Sequence, residues 1–184
     1  TEDRVVWRRD PSGTWSSDSP GVVAPITHRA LAVASDGRVL VAGTNETVYV
    51  RAPTGGWTLQ SPPPCNPALP GTGEYRSATA VPSASGDGFA IAGIGCFALL
   101  SGSTWTQVPI RTDVQVDALY ATSAQDVWLG VSDAADLGYV WHWDGAQLQA
   151  VDLPYGGRIT HLAGVAPTTV VAVGVPGALL SVRE

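Results

Sequence analysis

An all-β chain of tandem four-stranded units is what this sequence predicts, and three observations predict it. Short apolar runs that end in glycine recur along the chain. Strands of alternating pattern flank each run. No stretch sustains the 3.6-residue period of an amphipathic helix. The breakers agree, because 21 Gly and 14 Pro among 184 residues interrupt any long helix.

The elements follow in order. The glycine-ended runs are Val39-Leu-Val-Ala-Gly43, Phe89-Ala-Ile-Ala-Gly93, Val127-Trp-Leu-Gly130 and Val170-Val-Ala-Val-Gly174, with their glycines 50, 37 and 44 residues apart. After each of the first three comes an alternating strand and a polar turn. A bulky apolar residue then opens another strand, at Trp57, Trp105 and Leu148. Trp15 marks the same place near the N-terminus, so these landmarks lie 42, 48 and 43 residues apart. Upstream of each run lies one more strand, at 26–33, 75–81, 114–120 and 159–165. The unit is strand A, B, C and D in about 45 residues, and in its first complete copy these span 26–34, 38–43, 47–51 and 57–60. A lone four-stranded sheet cannot bury both faces. Tandem sheets can, by packing face to face around an axis, which is the architecture of a β-propeller.

Units at about 25–62, 73–110 and 112–154 are complete. Residues 157–184 supply A, B and C only, and residues 1–20 contain two strands that read as C and D. The expectation is a single domain over 1–184, with four blades of four antiparallel strands. The N-terminal strand closes the ring, which hides the free edges. The chain then carries seventeen strands against the sixteen that four blades need. A fifth outer strand, an irregular N-terminal pairing, a larger ring, or an edge that accepts a partner's strand are the alternatives.

Composition narrows the function. Hydrophobic residues make 45% of the chain and charged ones 14%, against about 25% charged in an average domain. That apolar content excludes disorder. The net charge is −6 and all ten basic residues are scattered arginines, which excludes a phosphate-backbone grip, so nucleic acid is not an expected partner. The uncharged stretch 162–180 is long enough to span a bilayer. It is broken by Gly164, Pro167, Gly174, Pro176 and Gly177 and is rich in Val, so it reads as buried strands and no membrane span is expected. The chain begins at Thr1 and holds no Met, which fits either a removed leader or a segment of a longer chain.

Two segments carry a family likeness. Asp126-Val-Trp-Leu-Gly130, followed by Tyr139-Val-Trp-His-Trp-Asp-Gly145, resembles the VWAVG and HWDG repeats of secreted bacterial propellers. Those repeats are abundant in myxobacteria and related to the Asp-box repeats of bacterial neuraminidases. The turn Arg9-Asp10-Pro-Ser-Gly13-Thr-Trp15 is similar to an Asp box with one extra residue between Asp and Gly. The likeness runs over nearly the whole chain in degenerate form. It implies the propeller fold and a secreted, periplasmic or cell-surface location. It implies no activity, because the Asp box stabilises a turn and the fold hosts many functions.

Candidate sites follow from propeller geometry, in which D-to-A connections and B–C turns share one face. Cys65 lies in such a connection and Cys96 in the B–C turn of the next unit, so a disulfide that pins residues 61–74 is expected. His28 and His161 both occur in Ile-Thr-His at the start of strand A. Aligning Ala30, Ala78, Ala118 and Ala163 places Arg76 and Val116 at the equivalent positions. His28, Arg76 and His161 are therefore candidate ligand residues at the mouth of the axis, where the plain alternative is a strand-capping role. Asp133 and Asp136 form an acidic B–C loop on the cysteine face and are further candidate ligand residues, where two carboxylates fall short of a calcium site and a solvated loop is the plain alternative. Tyr139, Trp141 and Trp143 share one strand face, which either stacks on a sugar or packs between blades. No nucleophile elbow is present and no paired carboxylates are identifiable by spacing, so no enzyme, metal or cofactor is expected. The expected function is a protein-interaction or structural assembly module, through a protein partner or self-assembly. Carbohydrate binding is the alternative.

Overall fold

The computed structural model describes residues 6–20, 27–68, 70–84, 86–151, 157–166, 169–175 and 178–183, with backbone alone for 165–166 and 178–183. Every element among them is a strand. β1 (Trp7–Arg9) and β2 (Trp15–Ser17) pair with each other as a two-stranded ribbon. β3 (His28–Val33), β4 (Val39–Gly43), β5 (Val48–Arg51) and β6 (Trp57–Gln60) form the first antiparallel sheet, in that order. β7 (Tyr75–Val81), β8 (Gly88–Gly93), β9 (Phe97–Ser101) and β10 (Thr104–Val108) form the second. β11 (Gln115–Ser123), β12 (Asp126–Ser132), β13 (Gly138–Trp143) and β14 (Leu148–Val151) form the third. The fourth has three strands, β15 (Arg158–Ala166), β16 (Thr169–Val175) and β17 (Ala178–Arg183). The uncharged stretch 162–180 is divided among these three. Among the described residues no helix is long and apolar enough to cross a membrane. The expected unit limits at 1–5, 25–26, 152–154 and 184 lie outside the described residues.

The sheets pack face to face in chain order, β3 on β7, β7 on β11 and β11 on β15. Period-2 alternation sorts the side chains. In β3, Ala30 and Ala32 are buried toward the second sheet, while Leu31 and Val33 are exposed on the other side. Leu40, Tyr75, Phe89 and Ile91 fill the first layer. Phe97, Val116, Leu119, Val127 and Leu129 fill the second. Trp128, Val140, Ile159, Val170 and Ala172 fill the third. Each large side chain so buried contributes roughly 1.5–3 kcal/mol, so these layers hold the row of sheets together.

Closure by the N-terminal strand is not found among the described residues: β1 and β2 join no other sheet, and β17 pairs only with β16. Asp18 ties the ribbon to the first sheet. Its Oδ2 lies 2.8 Å from Arg51 Nε, and Trp57 Nε1 donates to its backbone oxygen at 3.0 Å and to Oδ1 at 3.2 Å. These bonds hold the ribbon against the outer strands of the first sheet. β3 and β15 stand at opposite ends of the row.

Each innermost strand carries a β-bulge near its start. The register skips one residue between His28 and Ala30, Tyr75 and Ser77, Val116 and Ala118, and Ile159 and His161. Arg29, Arg76, Asp117 and Thr160 are the extra residues. A bulge re-aims the side chain it inserts. The bulge also corrects the alignment of the histidines. His28 precedes it and His161 follows it, so the two are not equivalent. Opposite the residue before the bulge stand Gly43, Gly93 and Gly174, and in the third sheet Val131 rather than Gly130. At Gly43 and Gly93 a Cβ would lie 2.0 and 1.9 Å from the carbonyl oxygens of Thr27 and Glu74, an approach that only glycine permits.

Candidate functional site

The face that carries the D-to-A connections and B–C turns is built around one loop. Cys65 and Cys96 are bonded, with Cα atoms 4.6 Å apart. Glu46, in the turn between β4 and β5, fixes the loop from inside. Its Oε1 accepts from the amides of Cys65 at 2.7 Å and Asn66 at 3.2 Å, and its Oε2 from Gly71 at 2.5 Å. Its own amide donates to Gly73 oxygen at 3.0 Å. The Tyr75 hydroxyl donates to the Pro63 carbonyl. Burial, helped by the Glu46 charge, pushes that hydroxyl above its ordinary pKa and keeps it a donor. The result is a cleft of about 410 Å³ walled by Thr44, Asn45, Cys65, Asn66, Glu74 and Ile94. Ile94 is an exposed apolar side chain among hydrogen-bonding groups.

Beside this cleft runs a row of charges made by the bulges. Arg29 Nε lies 3.7 Å from Glu74 Oε2, and Arg76 Nη1 donates to Glu74 Oε1 at 2.5 Å. Arg76 Nε lies 3.4 Å from Asp117 Oδ1. Arg158 grips Asp117 through two bonds, Nη2 to Oδ1 at 2.7 Å and Nε to Oδ2 at 2.9 Å. Gln115 Nε2 adds bonds at 2.7 and 2.9 Å, and Ser132 Oγ one at 3.3 Å. Burial raises the Asp117 carboxyl pKa. The bonds from Arg158 and Gln115, with the Arg158 and Arg76 charges, outweigh it and hold the pKa below the usual carboxylate range. The row ties four successive innermost strands together, and it carries three arginines against two carboxylates.

The sequence-derived candidates fall in different places. Arg76 belongs to the row and is held by two carboxylates. His28 lies at the first sheet, with its ring Nε2 buried. His161 is exposed on the last sheet, its Nδ1 3.0 Å from Thr160 Oγ1. Sitting at opposite ends of the row, on different sides of the bulge, the two histidines do not form a common site at the mouth. Asp133 organises its own turn, with Oδ1 accepting from the amides of Ala135 at 2.9 Å and Leu137 at 3.0 Å. Those bonds, that from Leu137 first, keep its carboxyl below the usual range. Asp136 sits at φ 58°, and its charge acts on the Arg158 guanidinium. Among the described residues no group of three or more His, Cys, Asp or Glu is placed to hold a metal. Trp141 and Trp143 pack against the second layer, and Tyr139 donates to Asp133 Oδ2 at 3.2 Å.

The residues that carry the family likeness are structural. Asp126 Oδ1 accepts from Trp128 Nε1 at 2.9 Å and lies 2.7 Å from His142 Nε2, while Thr122 donates to Oδ2. Trp128 and His142 stack with centroids 4.2 Å apart. Asp10 closes the turn before β2, its Oδ1 accepting from Ser12 Oγ at 2.6 Å and Thr14 N at 2.9 Å. Sequence reasoning missed Glu46, Asp117 and Arg158. A period-2 reading has no place for a bulge, and a lone Glu in a four-residue turn carries no spacing signal.

No protein-family model matches the chain, and no curated protein matches it. Solved structures do match in fold. YCF48 bound to a D1 peptide superposes with a TM-score of 0.69 at 16% identity, over 98% of this chain and 57% of that one. YCF48 from Cyanidioschyzon merolae gives 0.67 at 12%, over 97% and 61%. The extracellular domain of the one-component system BT4673 from B. thetaiotaomicron gives 0.68 at 13%, over 100% and 27%. The chain thus spans about three-fifths of the length of the YCF48 chains it matches. With its stacked antiparallel sheets, the fold is β-propeller-like.

Proposed function

We propose that this chain is a non-enzymatic, extracytoplasmic β-propeller module that holds a protein or peptide partner on the face carrying residues 61–74. The cleft around Ile94 carries the reading. A disulfide, a buried-side tyrosine and the Glu46 carboxylate stiffen a loop that recognition needs rigid. An apolar anchor stands at its centre with backbone and side-chain polar groups around it, the anatomy of a contact centre in protein recognition. The disulfide suits an oxidising compartment. The likeness to YCF48 bound to a peptide, and to an extracellular domain, supports the same reading. Carbohydrate binding gains less support. The exposed aromatics among the described residues, Trp7, Trp15 and Tyr139, do not repeat a site from sheet to sheet.

The test is a selection from a random peptide library on the immobilised protein. Selected peptides are expected to lose at least tenfold in affinity for the I94E variant and to keep it for T58E, an exposed change on β6. Peptides that bind I94E as well as wild type would contradict the assignment of this face.

A further inference from the structure

The turn between β4 and β5 is strained. Asn45 and Glu46 follow each other at φ 58° and 54°, in the left-handed region that favours glycine. The equivalent turn of the second sheet meets the same demand with Gly95, at φ 66°. The first sheet therefore keeps two side chains where glycine would be easier. Glu46 has an evident task, since its carboxylate holds the loop through the amides of Cys65, Asn66 and Gly71. The threonines of the turn are engaged as well. Thr44 Oγ1 accepts from the Thr27 amide at 2.9 Å, and Thr47 Oγ1 donates to the Asn45 carbonyl at 3.4 Å. The Asn45 carboxamide makes no hydrogen bond among the described residues, and it stands exposed on the wall of the cleft around Ile94.

Asn66 is a second exposed carboxamide on that wall. Its Oδ1 accepts from the Ala68 amide at 3.1 Å, which fixes the oxygen and leaves the Nδ2 donors unused among the described residues. The disulfide and Glu46 hold the backbone beneath it. Ile94, 46% exposed, supplies the apolar surface. The one acid on the wall, Glu74, is already bonded to Arg76. No aromatic ring lines the cleft among the described residues, so a sugar finds no stacking face there. What remains on offer is neutral: amide donors, an amide acceptor and one apolar contact. A peptide bond beside an apolar side chain presents the complement of that set.

We propose that Asn45 and Asn66 are the specificity residues of this cleft. They hold an extended peptide by its main chain while Ile94 takes one apolar side chain. This rests on the peptide-binding reading and gives its mode. Main-chain bonds tolerate variation in the residues that flank the anchor. Neutral partners also leave affinity nearly independent of salt, unlike an acidic peptide laid on the neighbouring arginines.

The test compares variants against the peptides selected on the wild-type protein, by titration calorimetry with thermal melts alongside. I94E reports on the peptide-binding reading itself. N45G keeps a residue at ease in the left-handed region and removes only the carboxamide. It should melt at or above the wild-type temperature and lose affinity by about three- to tenfold. N66D keeps an acceptor for the Ala68 amide and removes the donors, and a similar loss is expected. N-methylation of the peptide amides beside the anchor should weaken binding to wild type by about tenfold, and a rise in salt from about 50 to 500 mM by less than about threefold. Peptides that lose I94E yet bind both N45G and N66D like wild type overturn the inference and leave the peptide-binding reading standing. So does affinity that collapses with salt, which would move the peptide onto the arginines. Peptides that bind I94E normally, or a selection that yields none, overturn both.

Discussion

Asp117 shows what single residues do here. It sits at a bulge, accepts from Arg158, Gln115 and Ser132, and faces Arg76. Its folded-state pKa is depressed. The stability it contributes is therefore fully present above the unfolded-state value of about 3.9 and is lost as pH falls through the lower folded-state value. Asp117→Asn should cost about 1–3 kcal/mol at neutral pH, less than breaking a fully buried pair, because Arg158 keeps partial solvent contact. Thermal melts across pH 7 to 2 should show the wild-type and variant curves converging in acid. Parallel curves would remove the role assigned to this carboxylate. None of this was legible in the sequence. Arg76 was singled out there, but through an alignment on alanines that the bulges displace. The acidic partners of the row lie on neighbouring sheets, beyond any local pattern.

At the scale of elements the sequence was far more informative. Apolar alternation and turn residues marked all three complete sheets, because side chains buried on both faces leave a strong signal in short strands. The glycine landmarks have a physical cause at Gly43 and Gly93, where the carbonyl of Thr27 or Glu74 occupies the space of a Cβ. Gly93→Ala forces the backbone apart and should destabilise by about 3 kcal/mol or more. Gly56→Ala meets nothing within 4 Å and should be neutral or stabilising by up to about 1 kcal/mol. Chemical denaturation of the pair measures the difference, and equal midpoints would refute the close-approach account. The third landmark was misplaced by one residue for a related reason. Gly130 faces the next sheet, where a Cβ would lie 2.7 Å from Ile159 Cγ2, so packing and not the bulge demands it. The Cys65–Cys96 bond was also foreseen, since propeller topology alone puts a D-to-A connection beside the next B–C turn.

For the whole molecule, sequence and structure diverge at the ends. Counting strands favoured a ring closed by the N-terminus, because hiding edges is the general solution. Among the described residues no strand pairing between the ribbon and the last sheet is found, while Asp18 bonds the ribbon to Arg51 and Trp57 of the first sheet, and a long-range anchor of that kind has no sequence signature. The central claim is that the described sheets pack in chain order, with the second and third sheets between the first and the last. Dipolar electron resonance between spin labels at positions 31 and 173 tests it most directly. The labels are attached through non-cysteine chemistry, and the labelled chains are diluted in unlabelled protein. The account predicts a separation well beyond the roughly 10 Å spacing of two packed sheets, since the second and third sheets lie between the labels. A separation near that spacing would mean that the first and last sheets touch within one chain, and would contradict this arrangement.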